Sequence, residues 1–125
     1  MSLANRISEG SSLSEAQLES LALYQRVRAG EISLKQAAET RTARRGNKAG
    51  QPVTVGSYYR TLDQAKNNVR SSILTLVTAL WLGYVRVEDV RRLFELVGRG
   101  AVELSEEEAD QFMGVLNALV DKIVM

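Results

Sequence analysis

Between Arg41 and Lys66 the chain spaces residues that can hold a polyanion. Arg41, Arg44, Arg45 and Lys48 form a basic run, and Thr54, Ser57, Tyr59, Arg60 and Lys66 follow within one expected helix start. Guanidinium and ammonium groups neutralise phosphates and release condensed counterions. Ser, Thr and Tyr hydroxyls bond phosphate oxygens, and an Arg fork can engage a guanine edge with two parallel bonds. Residues 41–70 hold 7 Lys/Arg against one acid, Asp63. The plain alternative is a solvated surface whose charges cluster.

This basic middle is hidden in the overall balance. Residues 1–70 carry 11 Lys/Arg and 6 Asp/Glu, a net +5, and residues 71–125 carry 5 and 9, a net −4, which together give the chain's +1. A local basic stretch can still attract phosphate on a near-neutral protein.

Other chemistry is poorly supplied. The 125 residues include no Cys and no His. That removes disulfides, thiolate metal sites, Cys nucleophiles, the commonest general base and every Ser-His arrangement. The stretch Arg44–Pro52 has two glycines but lacks the Gly-x-x-x-x-Gly-Lys-Ser/Thr order of a phosphate loop, and no strand precedes it. Glu106, Glu107 and Glu108 fall where carboxylates favour a helix N-terminus, and no other acidic pair has metal-site spacing. The expectation is a non-enzyme with no cofactor and no metal.

The elements that must position the basic residues read as helices. Ser14 with Gln17 has capping-box spacing, Leu13 with Leu18 has the spacing of a hydrophobic staple, and Gly30 stops the helix. Ser33 with Gln36 starts a second helix, whose Ala37 and Ala38 suit close packing and which fades between Thr40 and Arg45. Arg44 to Pro52 reads as a loop. Thr54 or Ser57 can cap a long helix over about 56–82. Its stripe is Tyr58, Leu62, Ala65, Val69, Ile73, Leu76, Val77 and Leu80, with a break at Asn67-Asn68 as the alternative. Val90, Leu93, Phe94 and Val97 define another helix, ended by Gly98 and Gly100. Ser105 with Glu108 caps the last one. Val53–Val55 and Tyr84–Val87 could each be a short strand at most. The fold expected is all-α with about five helices.

The segment Glu31-Ile32-Ser33-Leu34-Lys35-Gln36-Ala37-Ala38-Glu39, followed by Val53-Thr54-Val55-Gly56-Ser57-Tyr58-Tyr59-Arg60-Thr61-Leu62, resembles helix-turn-helix DNA-binding domains in general. The resemblance covers about 40 residues. It implies that Thr54 faces phosphate, that the next positions point at base edges and that Leu62 anchors the recognition helix. The long connection, Arg41 to Gln51, departs from the few-residue turn usual in such domains and puts the standard crossing geometry in doubt.

Individual residues carry plainer readings beside these. Tyr58 shares the apolar stripe and reads as core, whereas Tyr59 sits off it. Arg60 and Lys66 could be solvated charge, and Asn67 and Asn68 polar-face filler. Trp81 reads as core or interface.

The far end of the long helix is apolar on more than one side, through Ile73, Leu74, Leu76, Val77, Leu80, Trp81 and Leu82. It must be covered by the last two helices or by another chain. The organisation expected is a flexible N-terminus over 1–13, a DNA-binding region over 14–70 and a helical dimerisation core over 71–125. Met1-Ser2-Leu3 reads as an expression scar. The longest uncharged run, Ser71 to Val85, is shorter than the roughly 18–20 residues of a membrane span. A cytoplasmic homodimer that binds DNA, with RNA also open, is the reading expected. A non-catalytic adaptor whose basic stretch docks an acidic partner is the first rival, and a small helical enzyme is the second.

Overall fold

The computed structural model describes residues 3–41, 51–99 and 104–124. Within them the protein is all-α, with six helices and no strand: α1 (Leu3–Ser8), α2 (Glu15–Arg28), α3 (Leu34–Thr40), α4 (Val55–Leu82), α5 (Val87–Arg99) and α6 (Glu106–Ile123). The chain divides into two compact units, Met1–Ser71 and Ser72–Met125.

Local signals fix most helix ends. Ser14, Ser33 and Ser105 each accept a bond from the backbone of the residue three positions on. Gln17, Gln36 and Glu108 each reach back to the cap's own N–H. These three capping boxes satisfy backbone donors that would otherwise lack partners. Two helices end alike. Gly30 (φ 76°) donates to Val27 while Glu31 donates to Arg26, and Gly83 (φ 83°) donates to Leu80 while Tyr84 donates to Ala79. Both are Schellman turns, which need the left-handed conformation that glycine adopts without penalty.

In the first unit, Leu23 of α2, Ala37 and Ala38 of α3, and Tyr58 and Leu62 of α4 form the core. The two alanines are essentially sealed, at 0% and 1% exposure, so nothing larger fits there without moving a neighbour. In the second unit, Val85, Val90 and Ile123 form a smaller core, with Leu76, Ala79, Leu80, Leu93 and Leu119 against it.

Within the N-terminal segment, Leu3–Ser8 forms a helix that the sequence pattern did not disclose, and it packs on α2. Ser12 is also tied to α4, donating to Asn68 Oδ1 at 2.7 Å and accepting from Asn68 Nδ2 at its carbonyl at 2.7 Å. Neither candidate strand forms, because Val55 opens α4 and Val87 opens α5. The long helix runs unbroken through Asn67-Asn68, as the single helix expected over about 56–82 requires, since neither residue withdraws a backbone donor as proline would.

Candidate nucleic-acid interface

The first turn of α4 is built by Thr54. Its hydroxyl accepts from Ser57 N–H at 3.1 Å, and its carbonyl accepts from Tyr58 N–H at 2.9 Å. The Thr54 hydroxyl is therefore engaged as a helix cap. Ser57 is half-buried, and its carbonyl accepts from the Thr61 hydroxyl at 3.3 Å. Gly56, between them, faces open space: an added Cβ would meet nothing within 4 Å. The N-terminal end of α4 thus offers an accessible turn with the positive end of a helix dipole.

Tyr58 and Tyr59 point to different places. Tyr58 is fully buried, and its hydroxyl donates to the Ser20 carbonyl at 2.8 Å. Burial pushes the Tyr58 phenol above its usual value of 10.0, and neighbouring Tyr24 adds to this. The Arg41 guanidinium pulls the other way, and Tyr59 raises it again. Tyr59 is 44% exposed, with its ring edge-on to that of Tyr58 at 6.5 Å between centroids. Arg60 is exposed one position further.

One basic residue, Arg41, departs from the expected surface. Arg41 follows α3 directly and is only 7% exposed, and its Nε and Nη1 are buried without a hydrogen-bond partner. Its carbonyl accepts from Val53 N–H at 3.3 Å, which draws the residue against the start of α4. That takes Arg41 off the phosphate-facing surface. Lys66 is exposed, but its ammonium sits 4.3 Å from the centre of the Tyr24 ring, a cation–π contact within the first unit. Arg44, Arg45 and Lys48 lie outside the described residues.

Asn68 has a structural task that sequence reasoning missed. Besides Ser12, its amide donates to Gln17 Oε1 at 3.2 Å, so it binds both the segment before α2 and the α2 cap. Only the tertiary pairing, 56 positions apart in sequence, discloses this.

The same unit holds a cleft of about 610 Å³ between α1 and α2, lined in part by Asn5, Leu13 and Leu18. Glu9, Glu15 and Glu19 line it too, and this charge opposes a phosphate ligand. No group of acidic residues able to hold a metal ion occurs among the described residues, and none of their helices is long and apolar enough to cross a membrane. The chain matches no family model, no curated protein and no solved structure.

Proposed function

We propose that this chain is a non-catalytic DNA-binding protein that acts as a homodimer in transcription regulation or another DNA-organising role in the cytoplasm. The observation that carries the reading is the open first turn of α4. Gly56 faces space there, Tyr59 and Arg60 are exposed beside it, and the basic segment with Arg44, Arg45 and Lys48 leads into it. Arg44, Arg45 and Lys48 would contact phosphates, and the first turn of α4 would present Tyr59 and Arg60 to the groove. Arg41 takes no part, because it is buried, and Lys66 would add a phosphate contact from its exposed place beside Tyr24.

The test is anisotropy of a labelled duplex of random sequence, titrated with protein at two salt concentrations. Binding that weakens steeply with salt is the expected result. A single-stranded RNA run in parallel separates the two nucleic acids. No binding to either at low salt would instead favour a protein-protein adaptor. That second reading draws on a specific observation, the large apolar side chains left exposed in the second unit.

A further inference from the structure

The second unit is under-covered for its composition. Its buried hydrophobics among the described residues are Val85, Val90, Leu116 and Ile123, none of them sealed. Meanwhile Ile73, Leu74, Val77 and Trp81 on α4 are 58%, 60%, 54% and 90% exposed. At 100° per residue these four fall within about 100° of the helix circumference, the width of a stripe that faces a core. Leu76, Ala79 and Leu80 pack against the unit's own core, with Leu80 beside the edge of the stripe that Ile73 marks. The α4 stripe therefore adjoins the side its own unit uses and extends beyond it.

We infer that this stripe is the seam on which a second copy of the chain docks about a two-fold axis, with Val77 near its centre. Three features point to a second copy over a different protein. No charged residue occurs from Ser71 to Val85, so the face has no electrostatic pattern that would select an unlike partner. A two-fold interface sets one patch against itself, and an uncharged apolar stripe meets that condition without repulsion. Together with Leu82 and Tyr84 beyond the stripe, 63% and 56% exposed, the four side chains expose on the order of 800 Å², so only a seam that covers them all reaches the roughly 800 Å² per partner of a standard interface. This inference deepens the homodimer of the proposed function by naming its face. It is tested without nucleic acid, so its failure and that of DNA binding are distinct.

Trp81 is the chain's only tryptophan, so its fluorescence reads this face alone. The full chain is taken from high micromolar to nanomolar concentration. Mass is followed by sedimentation equilibrium, and Trp81 accessibility by acrylamide quenching. The expected result is twice the chain mass with a shielded Trp81 at high concentration. On dilution the single-chain mass and free quenching should appear together. Val77→Asp, at a position its own unit leaves half exposed, should retain its helical circular dichroism and raise the dissociation constant at least about tenfold, because it sets a carboxylate in an apolar seam. Higher salt should leave the dimer as tight or tighter, opposite to nucleic-acid binding. A single-chain mass throughout would overturn the inference. So would a dimer in which Trp81 stays fully quenchable, since the contact would then lie elsewhere. If Val77→Asp does not fold, the quenching and mass curves of the unaltered chain decide alone.

Discussion

The Tyr58 hydroxyl and the Ser20 carbonyl are 2.8 Å apart in the sealed interior of the first unit, and this bond joins α4 to α2. A buried phenol needs such a partner, since water cannot supply one. The Ser20 side chain turns the other way, donating to Ala16 at 2.8 Å within α2. The exposed Tyr59-Arg60 pair is positioned by the buried residue before it.

Replacing Tyr58 by Phe keeps the ring and removes the donor. Stability to urea at neutral pH should fall by about 1 kcal/mol. The alkaline behaviour should also change. Below pH 10 the phenol is protonated in both folded and unfolded chains, and its full contribution is present. Above the usual value of 10.0 the unfolded chain loses its proton first, because burial has raised the folded value. Stability then drops until the folded phenol ionises as well. Urea midpoints across this range should decline less steeply for Tyr58→Phe than for the unaltered protein.

Arg41 tests the opposite case, a charge that burial does not reward. Its Nε and Nη1 have no partner and its side chain is almost wholly enclosed. Met has similar reach and no charge to desolvate, so Arg41→Met should raise stability by about 1 kcal/mol or more. It should leave the salt dependence of nucleic-acid binding unchanged. A clear loss of stability in thermal or urea unfolding would show that the guanidinium is satisfied in solution.

Asn68→Ala removes the bonds to Ser12 and Gln17. Global stability should decrease by about 1 kcal/mol. The local effect is more diagnostic. Amide hydrogen exchange should quicken from Leu3 to Ser14, while the middle of α4 keeps its protection. Uniform acceleration across the first unit would mean that Asn68 supports the whole core.

Much of the fold was legible because its signals are local. Each Ser-x-x-Gln or Ser-x-x-Glu set at Ser14, Ser33 and Ser105 became a capping box, and Gly30 and Gly83 stopped their helices as their freedom at positive φ allows. The α4 periodicity carried through 28 residues for the same reason. Helix α1 was missed because its six residues, with Leu3, Ala4 and Ile7 as its apolar positions, are too few to establish a period and carry no cap signal. Pattern also could not tell which apolar positions are covered: Tyr58 and Ile73 belong to one sequence stripe, yet one is sealed and the other is 58% exposed. At the candidate site the exposure of Tyr59 and Arg60 followed from their place off the stripe. The burial of Arg41 and the Lys66–Tyr24 contact depend on neighbours distant in sequence, which charge type alone does not reveal.

The claim that this chain binds DNA through the basic segment and the start of α4 is tested most directly by the slope of log affinity against log salt. The unaltered protein and the triple variant Arg44→Ala, Arg45→Ala, Lys48→Ala should be compared on random duplex. If each of the three contacts one phosphate, the variant's slope should be shallower by about 2–3, since each lost contact removes roughly 0.9. Affinity for every sequence should fall alike. Arg60→Ala should instead narrow the preference for a specific site by about 1–3 kcal/mol per guanine contact. Equal slopes for the unaltered and triple-variant proteins, both folded, would contradict this placement of the DNA surface.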